Sequence, residues 1–232
     1  MVRKLAFGLL WLGLIVYGFF LSPPQQPGTF ELIKNLSLAQ WQGINPLIIA
    51  LFNLMGVWPI IYSAVLFIDG RGQKIPAWLF AIASFAVGAF AILPYLALRE
   101  PNQKFVGKKN TFLKLLDSRV TAFVLTVAAV ILVGYGFTGA DWTNFIQQWQ
   151  TNRFIHVMSL DFCLLCLLFP TLVTDDMARR GWENRQILWV TALVPLFGPL
   201  IYLSMRPSLP EVGAQTIPTK QLTPNETTDN TI

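Results

Sequence analysis

The sequence predicts an all-α polytopic membrane protein with six transmembrane helices arranged as two inverted three-helix repeats. Three observations lead there. The chain is 54% hydrophobic and only 12% charged, with a mean hydropathy of +0.53, whereas soluble domains carry about 25% charged residues. Six apolar segments approach the ~20 residues that a bilayer-spanning helix needs. A series of short matches also repeats in the same order in both halves, the sequence signature of duplication.

The six segments are Leu5–Leu21, Pro46–Ile68, Pro76–Leu98, Val120–Phe137, Val157–Val173 and Ile187–Met205. The first follows Arg3-Lys4 but lacks a small-x-small cleavage site, and prolines crowd the place where cleavage would fall. It therefore reads as an uncleaved anchor. Pro76 suits the start of the third, because a first-turn residue has no intrahelical use for its N–H. Before the second segment Phe30, Ile33, Leu36 and Trp41 recur near helical spacing, and Phe145 with Trp149 does so before the fifth. These read as interfacial amphipathic helices or as ordinary loop aromatics. Beyond Pro207 the chain turns polar and proline-rich, the composition of a disordered tail.

The clearest internal match pairs Gln40-Trp41-Gln42 with Gln148-Trp149-Gln150, an offset of 108 residues that also pairs Asn53 with Asp161 and Arg71 with Arg179. Tyr17-Gly18-Phe19 recurs as Tyr135-Gly136-Phe137 across an insertion supplied by the proline-rich 22–28 stretch. Tyr95-Leu96-Ala97-Leu98-Arg99 recurs as Tyr202-Leu203-Ser204-Met205-Arg206. The chain thus divides into a first repeat at 1–101, a basic connection at 102–118, a second repeat at 119–206 and the tail at 207–232. Three spans per repeat would bring the second repeat into the bilayer from the opposite side. On that topology Lys and Arg divide almost evenly between the two faces, and the basic connection tips it toward the cytoplasm.

Asp161 is the one acidic residue well inside a segment, where a carboxylate costs several kcal/mol unless it is paired, wetted or protonated. It marks an ion, proton or polar-ligand site, with Asn53 as its counterpart and Ser159 and His156 nearby, or else a structural contact to a neighbouring helix. Cys163-Leu164-Leu165-Cys166 has CxxC spacing, but no second cysteine pair exists for exchange and no further thiolates complete a metal site, so core packing is expected. One histidine excludes a bis-His haem. The loop residues Asp175, Asp176, Arg179 and Arg180, matched by Asp69 and Arg71, end helices and grip headgroups, or else form a partner-binding or gating loop. Gly56 with Pro59, Pro94, Pro170 and Pro195 with Pro199 are expected to interrupt helices, as in transporters that bind substrate at broken helices. No nucleotide loop, nucleophile constellation or carboxylate pair is present, so neither catalysis nor a cofactor nor a metal is expected. The net charge of +5 points to lipid headgroups rather than nucleic acid.

The stretch from Asp161 through Asp175-Asp176-Met177-Ala178-Arg179-Arg180-Gly181-Trp182 to Pro199-Leu200-Ile201-Tyr202-Leu203-Ser204-Met205-Arg206 resembles an uncharacterised bacterial three-helix membrane domain. Residues 45–99 resemble multi-spanning membrane proteins of cyanobacteria and plastids. The resemblance implies a plasma or thylakoid membrane. Two functions follow as expectations: a small inverted-repeat transporter or channel-like protein with its site near Asp161, or a non-catalytic accessory or assembly factor that binds other membrane proteins, for instance of a photosynthetic complex, and holds pigment or lipid.

Overall fold

A computed structural model describes residues 2–105 and 107–210, and these are all helical or irregular. The remainder of the expected disordered tail lies outside the described residues. Four helices are long and apolar enough to cross a membrane, rather than six: Val2–Leu21, Pro46–Asp69, Arg119–Thr138 and Arg153–Arg179. The first is α1 (Val2–Val16), extended by a π-helical turn at Tyr17–Leu21. A short helix α2 (Thr29–Ser37) follows, then the spanning α3 (Pro46–Asp69). After the paired helices α4 (Ala77–Val87) and α5 (Ala89–Leu98) and the single-turn α6 (Thr111–Leu116) comes the spanning α7 (Arg119–Thr138). The short α8 (Trp142–Thr151) leads into α9 (Arg153–Leu168), which continues as α10 (Pro170–Arg179) to make the fourth long helix. The chain closes with α11 (Arg185–Leu193) and α12 (Phe197–Met205).

Helix starts follow local chemistry. Asn45, Ser118, Asp141, Asn152 and Asn184 each accept a hydrogen bond from a first-turn N–H, which satisfies donors that a helix leaves orphaned. Pro59 and Pro170 do not break their helices as expected: α3 runs through Pro59, and Phe169 keeps helical dihedrals where α9 meets α10.

The expected third span is instead a helical hairpin. Gly88 has φ +50°, a conformation only glycine adopts cheaply, and it separates α4 from α5. At 11 and 10 residues each arm is about 15 Å long, half a bilayer core. Both ends of the hairpin lie at one level. The Gln73 amide donates to the Glu100 carbonyl at 2.7 Å, and the Glu100 N–H donates back to Gln73 Oε1 at 2.9 Å. α5 lies antiparallel to α1, with Trp11 Nε1 donating to Phe90 O near the tip and Arg3 reaching Arg99 O at the base.

The expected sixth span has the same form. α11 and α12 meet at Val194–Leu196, where Pro195 cannot continue a helix and Leu196 takes φ +60°. The arms touch closely: a Cβ on Gly198 would fall 2.4 Å from Val190 O. Arg180 donates to Pro207 O at 2.6 Å, joining the base of this hairpin to the start of the loop that leads into it.

These hairpins correct the inverted arrangement. α3 and the α9–α10 helix run parallel, with Phe52 against Phe154, Trp58 against Phe162, and Tyr62 donating to Leu165 O at 2.7 Å. Inverted repeats would set them antiparallel. The core lies between these two helices and the hairpins, around Trp58, Tyr62, Tyr95, Phe169 and Tyr202. A smaller cluster under α2 and α8 gathers Leu36, Ile48, Ile49, Ile155 and Met158. α1 and α7 present outer faces of exposed apolar side chains, among them Leu5, Leu9, Val120, Phe123 and Ile131, as lipid contact requires.

The hairpin topology is testable by labelling single cysteines, introduced after both native ones are replaced by alanine, with a membrane-impermeant maleimide. Gln73→Cys, Lys108→Cys and Glu183→Cys should react from one side of the membrane, and Gln40→Cys and Gln147→Cys from the other. Gln73→Cys and Lys108→Cys reacting from opposite sides would restore six crossings.

Candidate functional site

A cavity of about 680 Å³ lies toward the α2 and α8 end of the molecule. Its walls come from the π-helical turn after α1, from α2, α3 and α9 and from the tip of the first hairpin, and are mainly apolar, including Phe52, Met55, Phe90 and Phe154. Asp161 and Gly88 line it together. Asp161 Oδ1 accepts the Ala89 N–H at 2.7 Å, so the carboxylate sits on the N-terminus of α5, where orphan donors and the helix dipole favour negative charge. The fit is tight: a Cβ on Gly88 would fall 1.8 Å from Asp161 Oδ2. Asp161 is 5% exposed, and among the described residues no basic side chain pairs with it. Arg153 lines the cavity at the start of the same helix, where it donates from Nε to Pro23 O at 3.0 Å.

The residues expected beside Asp161 lie elsewhere. The Asn53 amide donates to Ile49 O on its own helix, and Ser159 donates likewise to Ile155 O. His156 Nδ1 meets the Trp149 carbonyl at 2.9 Å, so that nitrogen carries the proton and Nε2 accepts from Tyr17 OH at 2.8 Å. The imidazole stacks on Trp149 with ring centroids 4.4 Å apart. Its polar atoms are thus satisfied in tying the end of α1 to α8 and α9. Cys163 is exposed rather than buried, Cys166 is buried, and both are free thiols.

At the other end of the molecule the loop residues are brought together as a buried ionic cluster. Asp69 receives Arg99 through two bonds, at 2.7 and 2.6 Å, together with Tyr95 OH at 2.5 Å and Arg179 at 2.9 Å. Arg99 also bridges to Asp175, on the neighbouring long helix. Alongside, Asp176 receives Tyr202 OH at 2.5 Å, Arg180 at 2.9 Å and Arg206 at 3.2 Å. Arg180 further meets Asp117 at 2.8 Å. Burial works against the ionised form of Asp117, but Arg180 and Arg206 outweigh it and hold that carboxyl below its ordinary range. Asp69, Asp175, Asp176, Arg179 and Arg180 are all buried and are therefore not placed to grip headgroups. Arg71 stands apart, donating to Lys108 O and lying over the Phe105 ring.

Sequence reasoning missed Gly88 and Ala89 at the tip, and Asp117, Arg99 and Arg206 in the cluster. The signal for the last two was present. Tyr and Arg four residues apart share one face of a helix, and Tyr95/Arg99 and Tyr202/Arg206 each clamp an acid that precedes them by the same interval, Asp69 and Asp176 respectively. Among the described residues no group of His, Cys, Asp and Glu could hold a metal ion. Compared with protein-family models, curated proteins and solved structures, the chain finds no match.

Arg99→Gln would leave Asp69 and Asp175 short of a buried partner. It should cost about 3–5 kcal/mol, read as a large fall in the thermal midpoint of the detergent-purified protein. Lys4→Ala, which removes an exposed pair with Glu100, should leave that midpoint nearly unchanged; equal effects would show that the cluster does not hold the helices together. Gly88→Ala should destabilise by on the order of 1–3 kcal/mol from backbone strain, with displacement of Asp161 in addition. Unaltered thermal unfolding would show that the tip is not held against α9.

Proposed function

We propose that the chain is a non-catalytic integral membrane transport protein whose binding site is the cavity ending at Asp161. The observation that carries this reading is the cavity itself: a buried carboxylate without a counter-charge faces a space of about 680 Å³, at a point where a membrane-embedded helix is interrupted. Ligand sites fall in the range of about 300–1,000 Å³, and transporters place interrupted helices and intramembrane acids at such sites. The apolar walls favour a small organic ligand over a water-filled ion pore.

On this reading the protein has four spans and two re-entrant hairpins, built as two parallel units of two spans and one hairpin. The matched Asp-Tyr-Arg clamps and the ordered sequence matches support that duplication. Orientation follows from charge. Of the 17 Lys and Arg residues, Lys34 and Arg153 lie at the cavity end, Lys220 lies outside the described residues, and every other one lies at the end holding the ionic cluster. Cytoplasmic loops carry such an excess, so the cluster end and both hairpin bases face the cytoplasm, and the cavity opens toward the opposite leaflet. The resemblance to cyanobacterial and plastid proteins makes a plasma or thylakoid membrane the setting.

The test compares cells expressing wild type, Asp161→Asn and Gly56→Leu at matched levels of folded protein. Gly56 lines the cavity, and a Cβ added to it would meet nothing within 4 Å, so leucine there fills space without a backbone clash. Transport predicts a set of compounds whose cell-to-medium ratio changes with wild type and reverts in both variants. Identical profiles in all three would discard transport and leave the accessory role.

A further inference from the structure

We propose that the ligand of the Asp161 cavity is an organic cation with an apolar body, its ammonium or kindred group seated against Asp161. This rests on the reading of the cavity as a ligand site and adds the class of ligand. Among the described residues, each of the other carboxylates with a buried side chain, Asp69, Asp117, Asp175 and Asp176, makes an ion pair with arginine. Asp161 alone among them has none. Its described partner is a single N–H, from Ala89 to Oδ1; Oδ2 lies beside Gly88 with no hydrogen-bond partner among the described residues, and Asp161 lines the cavity. A cation from outside completes a pair that the fold leaves open.

The surroundings select the kind of cation. A bare metal ion needs several oxygen ligands, whereas among the described residues no second acidic, histidine or cysteine side chain joins Asp161 in a group that could hold one, and the walls are mainly apolar. The walls instead suit a hydrocarbon body, and phenylalanine rings also attract cations over their faces. The other charge on the cavity wall, Arg153, lies eight residues before Asp161 on the same helix, about 12 Å along its axis. An anionic head pushed inward to Asp161 would leave that arginine behind and meet like charge, whereas a cationic head moving inward leaves the arginine and gains the carboxylate.

The experiment uses the full chain in nanodiscs of zwitterionic lipid and three probes of equal chain length, hexyltrimethylammonium, hexan-1-ol and hexyl sulfate, with binding measured by calorimetry. Wild type should bind the cation at least tenfold more tightly than either other probe, Asp161→Asn should bring the cation to the level of the alcohol, and Gly56→Leu should weaken all binding. A wild-type protein that binds hexan-1-ol as tightly as the cation, with both lost in Gly56→Leu, overturns the ligand class and leaves the site standing. If no probe shows binding sensitive to Gly56→Leu, the site reading falls together with the ligand class. Should Asp161→Asn fail to fold, the wild-type comparison of cation with alcohol decides the proposal by itself.

Discussion

The architecture depends on one set of contacts, the guanidinium–carboxylate lattice that joins the ends of the two central helices to the bases of both hairpins. Arg99 is its pivot, holding Asp69 on α3 and Asp175 on α10 at the same time. Arg179 returns the link from α10 to Asp69, and Arg206 and Arg180 tie the last hairpin to Asp176 and the 102–118 connection. Such a lattice adds little net stability over an apolar packing of equal volume. Its value is positional, because an unpaired charge at this depth is costly: α3 and α9–α10 must end at one level, and both hairpins must return there. Hydrophobic contact alone does not fix that register, since lipid tails are as apolar as the helices.

On the proposed topology each hairpin turns inside the bilayer, which raises a second demand. The last carbonyls of one arm and the first N–H groups of the other are then orphaned away from the membrane surface. The first tip meets part of this demand with Asp161, whose carboxylate accepts the Ala89 N–H. Capping a helix and holding a ligand are therefore not competing accounts of Asp161. One carboxylate oxygen fixes the tip, and the other, beside Gly88, has no hydrogen-bond partner among the described residues.

The class and the central helices were legible in the sequence because apolar length and composition determine them. α1, α3, α7 and α9–α10 fall where apolar runs place them. The third and sixth segments were misread because hydropathy measures length along the chain, not direction through the bilayer: a 23-residue apolar run folded at its middle has the same composition as a straight one. The deciding residue in the third was Gly88, whereas of the prolines expected to break helices Pro94, Pro59 and Pro170 are absorbed by theirs and Pro195 lies at the break between α11 and α12. That error spread to topology. Counting six crossings scatters the basic residues over both faces, while folding the third and sixth segments back collects nearly all of them at one end. Asp161 was legible as an anomaly, but Asn53, Ser159 and His156 were not separable from it, because proximity along a helix does not show which face a side chain takes.

α5 connects the two ends of this design. Its first residue, Ala89, donates to Asp161 at the cavity floor, and its last turn carries Tyr95, which with Arg99 just beyond grips Asp69 in the lattice. The helix is ten residues long and fixed by polar contacts at both ends, with α1 packed along its side through Trp11. The carboxylate at the cavity floor is thus aligned by a rigid element anchored in the ionic cluster, some 15 Å away along that helix. A loop could not offer comparable placement in lipid, since its backbone groups would go unsatisfied. A short helix held at both termini supplies a positioned N–H and a positive dipole end beside Asp161, and that combination favours one unpaired acid there.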